Sequence, residues 1–329
     1  MKVLVTGCAG YLGSVLCAQL LQQGHRVLGY DLLLYNNRSS IASMEGHDNF
    51  TLLEGDIRDL VMSAEAVRSS DIVVHLASIV GAEAVKLSSD LAVLTNVLAT
   101  RAIAELCFLY HKHLIYTSTA SVYGSQTRMA KETSPLSPIE LYAHTKVQSE
   151  RAIKDSMCSS TILRLGTLFG FSSRMRFDLV VNLFVAQASL GEPLRVYGGL
   201  QHRPFLHVTD AARAIQFMIK CRAPGIFNVA LTNQTIERIA GLVKDIIPGT
   251  VIENETEVKD ARNYSMSSSL LRSLNFEPLT SIHEGIVEVH DSFKRGNFAD
   301  YRDPKYSNHG SLSDQQLRSK IFTQGAITG

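Results

Sequence analysis

Through the first half of the chain, short runs of β-branched and aliphatic residues alternate with longer stretches whose apolar positions recur every three or four residues. The short runs fall at 2–6 (KVLVT), 26–31 (RVLGYD), 50–54 (FTLLE), 72–76 (IVVHL), 113–118 (HLIYTS) and 160–165 (STILRL). Their near-continuous apolar character, rather than strict alternation, predicts strands covered on both faces, as in a parallel sheet between two helical layers. The helical period is clearest at 11–23, 59–69, 90–108 and 140–157. Asp59, the first residue of the second of these, suits a helix cap. An α/β fold with a doubly wound parallel sheet follows from this alternation.

Beyond about residue 170 the alternation loosens. Helical patterns remain at 178–190, 209–220 and 234–246, with short strand candidates near 194–197 and 225–229. The organisation expected is a nucleotide-binding domain over 1–170, a smaller C-terminal substrate-binding lobe over 171–299, and a polar tail over 300–329. Segment 194–229 reads as strand, helix, strand, so the lobe is expected to interleave with the main sheet there. The tail lacks periodicity and is expected to be extended or partly disordered.

Composition narrows the class without naming a chemistry. The 329 residues are 45% hydrophobic and 19% charged, and 32 basic residues stand against 31 acidic ones, so no electrostatic footprint for nucleic acid is present. No run reaches the eighteen or so apolar residues of a membrane span. A cytoplasmic protein with no membrane partner is the expectation. Five cysteines, Cys8, Cys17, Cys107, Cys158 and Cys221, lack C-x-x-C spacing, which argues against a disulfide framework and against a metal site.

Candidate chemistry begins where the first strand runs into Thr6-Gly7-Cys8-Ala9-Gly10-Tyr11-Leu12-Gly13 and a helix follows at once. Glycines there permit a tight turn, close approach of backbone to a pyrophosphate, and helix–sheet packing, while the helix N-terminus supplies N–H donors. This is a Rossmann-type dinucleotide-binding start. Asp31 ends the second strand, where an acidic side chain accepts from the adenosine ribose hydroxyls and repels a 2′-phosphate, so NAD is expected over NADP; Arg38 nearby is the one cation placed to argue otherwise. Asp56, with Ile57 beside it, is placed to meet the adenine edge.

Tyr142 and Lys146 form Tyr-x-x-x-Lys at the start of a predicted helix, one turn apart on one face. A neighbouring ammonium is expected to lower the phenol pKa, making Tyr142 a workable acid and base, with Lys146 also able to hold the nicotinamide ribose. Upstream, the strand 113–118 delivers Ser118-Thr119-Ala120-Ser121-Val122-Tyr123-Gly124 to the carboxyl edge of the sheet.

Together these segments resemble the extended short-chain dehydrogenase/reductases, specifically the NAD-dependent epimerase/dehydratase group acting on nucleotide sugars. The resemblance also takes in His75-Leu76-Ala77, Thr95-Asn96-Val97 and Arg203-Pro204-Phe205-Leu206-His207-Val208-Thr209-Asp210. It implies Thr119, Tyr142 and Lys146 as the catalytic set, and a cofactor site built from Gly7, Gly10, Tyr11, Leu12, Gly13, Asp31, Asp56, Ile57, Leu76, Ala77 and Asn96 with Tyr142 and Lys146. It implies a nucleotide-diphosphate sugar substrate met by Thr119, Asn182, Arg203 and Arg262, and a homodimer paired through helices 90–108 and 140–157. His75 and His207 read as supports under the cofactor and nucleotide, and Tyr11 and Tyr123 as packing residues.

Members of that group that eliminate water usually carry Asp-Glu directly after the Thr, and this chain has Ala120 and Ser121. An epimerase needs only the tyrosine, a hydroxyl and a retained NAD, so epimerisation at the sugar 4-hydroxyl through a transient 4-keto sugar is the leading expectation. A dehydratase with unusual acid and base groups, a 4-keto-sugar reductase, and a non-catalytic dinucleotide-binding sensor or scaffold remain as alternatives. Arg164-Leu165-Gly166-Thr167-Leu168-Phe169-Gly170 lacks the asparagine many relatives carry, which leaves the sugar open.

Overall fold

A computed structural model describes residues 1–255, 262–298 and 300–312. Seven strands, β1 (Lys2–Thr6), β2 (Arg26–Asp31), β3 (Phe50–Glu54), β4 (Ile72–His75), β5 (His113–Thr119), β6 (Ser160–Leu165) and β10 (Gly225–Val229), form one parallel sheet in the order β10-β6-β5-β4-β1-β2-β3. The apolar runs lie in its middle: Val3, Leu4, Val5, Ile72, Val73, Val74, Leu114 and Ile115 are fully buried, as strands covered on both faces require. Strand order reverses between β1 and its neighbour β4, and this switch point opens a crevice at the carboxyl edge.

One face of the sheet carries α1 (Tyr11–Gln22), which packs on α8 (Val208–Cys221). The other carries α2 (Leu60–Arg68), then α3 (Ala82–Leu87), α4 (Ser89–Ala92), a π-helical stretch over Val93–Ala99, α5 (Thr100–Leu109) and α6 (Leu141–Asp155). Asp59 caps α2, accepting from the backbone N–H of Val61 and Met62 at 2.9 and 3.0 Å. The helical run expected at 90–108 continues as one helix over Ser89–Leu109, which is long and apolar enough to cross a membrane by length and composition. Here it is a layer of the domain: α5 packs between α2 and α6 and buries Ile103, Ala104 and Cys107.

The remaining elements form the lobe. Strands β7 (Thr167–Phe169), β9 (His202–His207) and β11 (Thr232–Thr235) make a three-stranded sheet, and β8 (Leu194–Tyr197) pairs with β12 (Ile252–Glu255). Around them stand α7 (Val180–Ser189), α9 (Ile236–Ile246) and α11 (Ile282–Lys294), while the single turn α10 (Ser269–Arg272) packs on β10 of the main sheet. Of the two strand segments expected to extend the main sheet only Gly225–Val229 does so; β8 stays in the lobe. The helix expected at 209–220 packs on α1, so it belongs to the nucleotide half.

The first part of the expected tail is folded. Pro304–Tyr306 form a 3-10 turn and α12 (Asn308–Leu312) packs against α3, while residues 313–329 lie outside the described residues. What periodicity missed is a cluster of aromatic rings: Phe177 packs against Phe293, Phe298, Tyr301 and Tyr306 with centroids 5.1–6.2 Å apart. Leu312 is buried against Leu91, with Tyr142 beside them. The segment thus spans from the lobe to the catalytic helix.

Candidate active site

The crevice at the sheet's carboxyl edge is a cavity of about 360 Å³ walled on one side by the strand ends and on the other by the lobe. On the sheet side the glycine loop turns from β1 into α1. Gly7 has φ +72°, and a Cβ there would sit 2.8 Å from the Ala77 nitrogen; one on Gly13 would sit 2.1 Å from the Gly7 carbonyl oxygen. Neither position accepts a side chain without moving backbone. Thr6 Oγ1 accepts from the N–H of Leu76 and Ala77 at 3.2 Å each and pairs with His75 Nδ1 at 2.7 Å. The other ring nitrogen of His75 meets Thr100 Oγ1 at 2.9 Å. Burial, with the Lys146 charge adding to it, lowers the His75 pKa to about 3, so the floor under the loop is neutral.

Asp31 closes β2 with its carboxylate fixed by two backbone donors, Ala9 N–H to Oδ2 at 2.9 Å and Leu33 N–H to Oδ1 at 2.8 Å. Burial raises its pKa, and those two hydrogen bonds oppose the rise. Arg38 is exposed and engaged by Glu45 and Glu54 at 2.9 and 3.0 Å, so its charge is committed away from Asp31. Asp56 and Ile57 line the cavity, but the Asp56 carboxylate is held by the backbone N–H and Nε of Arg58.

Three expected contact residues have their side chains hydrogen-bonded inside the fold. Asn96 lies behind the wall, where Oδ1 accepts from Ser78 and Ile79 and Nδ2 donates to Ile79 and Thr145, fixing the loop after β4. Tyr11 lines the cavity, yet its hydroxyl donates to the Gly170 carbonyl at 2.6 Å and so bolts α1 to β7. Asn182 completes that bolt, donating to Tyr11 and to the Arg176 carbonyl and accepting from Gly170 N–H. All its polar atoms are used inside the fold, so a direct substrate contact is not where the structure places it.

Thr119 ends β5 and caps the 3-10 turn Ala120–Tyr123, with its hydroxyl 2.9 Å from Ser121 Oγ. Tyr142 and Lys146 stand one turn apart at the start of α6 and line the same end of the cavity. Lys146 Nζ donates to the Thr117 carbonyl at 3.0 Å and lies 4.7 Å from the Tyr116 ring centroid and 6.0 Å from that of Tyr142. The expected lowering of the phenol pKa does not occur. Burial raises it above the ordinary tyrosine value, and the effects acting against burial are the Arg176 charge and hydrogen bonding with Thr119. Burial also lowers Lys146, to about 7, with Glu150 opposing. One turn further along α6, Glu150 forms a buried ion pair with Arg164 and accepts from Ser118, which fixes the residue before Thr119.

The rest of the wall is built from side chains that had no role assigned from sequence, contributed by the lobe and by the segments after β2 and before α6. Arg174, Arg176, Tyr35, Glu140, Tyr264 and Asn308 all line the cavity. Arg176 is paired with Asp178 at 3.0 and 2.6 Å. Arg262 lines it too, 3.2 Å from Glu140. Arg203 does not: it donates to the carbonyls of His202 and Arg262 and stacks 5.1 Å over the Tyr264 ring, behind the wall it helps to hold. His207 is spent on structure, accepting from Thr209 N–H and meeting Glu288 at 3.0 Å. Arg174 and Arg176 were visible in sequence as a basic pair ahead of a helix; nothing local marked Tyr35 or Asn308.

Comparison with known proteins agrees with this geometry. Residues 3–230 match the model of the NAD dependent epimerase/dehydratase family. Similar curated proteins include the uncharacterized UDP-glucose epimerase YtcB of Bacillus subtilis (strain 168), 26% identical over 310 residues covering 87% of this chain and 96% of that one. Another is the dTDP-glucose 4,6-dehydratase of Xanthomonas campestris pv. campestris, 28% identical over 321 residues covering 88% and 92%. Among solved structures, UDP-glucuronic acid 4-epimerase from Bacillus cereus, in complex with UDP-glucuronic acid and NAD, superposes with a TM-score of 0.78 at 26% identity, covering 90% of this chain and 99% of that one. With a Rossmann sheet, a glycine loop, and Tyr142 and Lys146 facing one crevice, the chain belongs to the NAD-dependent epimerase/dehydratase family, the extended short-chain dehydrogenase/reductases.

Proposed function

We propose that the chain inverts the 4-hydroxyl of a nucleotide-diphosphate sugar, with NAD retained through the cycle. The observation that carries this reading is the chemistry of the cavity's catalytic end. It presents Thr119, Tyr142 and Lys146, and the two positions after Thr119 hold Ala120, which is buried, and Ser121. Among the described residues the carboxylates lining the cavity are Asp31 and Asp56, fixed as above, and Glu140, paired with Arg262. An oxidation and reduction at one carbon has its acid and base here. Removal of a carbon-bound proton next to a leaving hydroxyl lacks an uncommitted carboxylate.

NAD, when bound, supplies the acceptor and donor of hydride. Tyr142 Oη takes the proton of the sugar 4-hydroxyl as the carbonyl forms, and returns it once the sugar has presented its opposite face. The cycle starts from the Tyr142 phenolate; the raised phenol pKa makes that phenolate a strong base for the first half, and the phenol it becomes carries the proton for the second. The Thr119 hydroxyl and the Arg176 charge stabilise the phenolate of the first half. Lys146, fixed on the Thr117 carbonyl, would hold the nicotinamide ribose when NAD is bound.

The test is incubation of the full chain with UDP- and dTDP-linked sugars, followed by NMR and mass spectrometry of the products. The expected product has unchanged mass and inverted configuration at C4, with no net change in the reduced-cofactor absorbance. Tyr142→Phe should lower turnover about 10²- to 10⁴-fold. Loss of water from the sugar, or NADH consumed with each turnover, would overturn the epimerase reading.

A further inference from the structure

Arg174 reaches the cavity wall from the loop between β7 and α7, and only 5% of the residue is exposed. Among the described residues, its Nε and Nη2 have no hydrogen-bond partner. The guanidinium lies 4.8 Å from the centroid of the Tyr35 ring, whose own hydroxyl is buried and likewise open. The carboxylates whose charge reaches Arg174 are Asp178 and Asp31. Asp178 is engaged by Arg176, and Asp31 by the N–H groups of Ala9 and Leu33.

A buried cation with two open donors is costly unless an anion completes it. The cavity belongs to an NAD-dependent family, and the pyrophosphate is the anionic part of NAD. On the sheet side, the glycine loop and the N-terminus of α1 offer backbone donors to that same group. Ser172, two residues before Arg174, meets Ser14 Oγ at 3.0 Å and donates to the Tyr11 carbonyl at 2.7 Å, which holds this segment against the first turn of α1, where the glycine loop ends.

We propose that Arg174 is the lobe-side jaw of a clamp on the dinucleotide pyrophosphate, its Nε and Nη2 donating to phosphate oxygens opposite the glycine loop. A planar guanidinium suits this, because adjacent N–H groups meet two oxygens of one phosphate. The clamp ties cofactor retention to the loop that carries Arg176 to the catalytic end. The inference rests on the family's use of NAD and not on which sugar is turned over.

The test compares wild type, Arg174→Met and Arg174→Lys, freed of copurified dinucleotide, by calorimetric titration with NAD, ADP, adenosine and NADP. Arg174→Met should weaken NAD and ADP about 10- to 100-fold and leave adenosine unchanged, as expected for loss of hydrogen bonds from a charged group. Arg174→Lys should retain more of the ADP-to-adenosine ratio. The urea midpoint of ligand-free Arg174→Met should equal or exceed that of wild type, since an uncompensated buried charge has gone; a merely structural arginine would lower it. Equal weakening of ADP and adenosine, a loss confined to NADP, or a Lys variant whose ratio falls as far as that of Met would overturn the clamp. Wild type that bound neither NAD nor ADP would sink the cofactor reading as well.

Discussion

The two walls of the crevice are made differently. The sheet-side wall is mostly backbone, with Thr6, His75, Asp31 and Asp56 each bonded to partners inside the fold. The facing wall is side chains from distant segments, of which Arg174 and Asn308 keep buried polar atoms without partners among the described residues. Among the described residues the sheet half has open atoms of this kind too, Tyr35 Oη and Asn37 Oδ1 in the segment after β2 and Tyr116 Oη on β5. Buried polar groups are nearly always satisfied in native proteins. The glycine loop and the carboxylates beside it are therefore complete when the chain has folded, whereas Arg174 and Asn308 opposite them are completed by what the cavity binds. The chemistry stands between them, because Tyr142 and Lys146 come from the sheet half and the cation acting on Tyr142, Arg176, comes from the lobe.

The largest effect that separates the walls should come from Gly13→Ala. A Cβ at 2.1 Å from the Gly7 carbonyl forces backbone to move in a wall that has no slack. Overpacking of this kind costs about 3 kcal/mol, and displacement of the loop should weaken NAD binding about 100-fold. Urea unfolding and NAD titration of the variant read both. A variant that kept wild-type stability and affinity would show the loop to be more yielding than its contacts imply.

The same contrast explains what was legible in the sequence. The sheet wall was readable because its parts are local: a strand, a glycine loop and a helix lie within residues 2–22, and Asp31 ends the next strand. Tyr142 and Lys146 were readable because helical spacing alone puts them on one face. Asn96, Asn182 and Arg203 were misplaced as ligand contacts because sequence order gives a polar residue's element but not which way its hydrogen bonds run. Tyr35 and Asn308 were invisible, since their shared cavity arises from segments far apart in the chain. Even so, α11 could have been found: Ser281 and Glu284 form a capping box ahead of the apolar positions Ile282, Gly285, Ile286 and Val289. A helix there would have predicted something for the aromatic residues after 292 to pack against, and so an ordered start to the tail.

A second way to separate the walls is acid. His75 titrates near 6.5 in an unfolded chain, and its folded pKa is about 3 because burial disfavours the imidazolium. A depressed folded pKa means the unfolded chain binds the extra proton first, so the stability contributed by neutral His75 is full above pH 6.5 and is lost as pH falls towards 3. By pH 4.5 the loss should be on the order of 2 kcal/mol. Urea midpoints of wild type and His75→Gln at pH 7 and pH 4.5 isolate it, since carboxylates contribute to both proteins alike. The glutamine variant should start lower and fall less; parallel losses would mean that His75 is not what acid attacks.

The smallest effect concerns the far end of the facing wall. Asn308 is held by one hydrogen bond, Nδ2 to the Val80 carbonyl at 2.9 Å, and its Oδ1 is a buried acceptor on the cavity wall. Leu312, four residues on, sits in a cluster that takes in Tyr142, so the segment carrying this acceptor reaches the catalytic helix. An acceptor there suits a sugar hydroxyl, while Arg174 suits a phosphate. Asn308→Ala should therefore raise the substrate KM by about threefold to tenfold, the worth of one neutral hydrogen bond, with NAD affinity unchanged. Steady-state kinetics alongside NAD titration measure both. A variant that lost NAD and kept its KM would place the C-terminal segment on the cofactor, and the facing wall would then serve one ligand along its whole length instead of two.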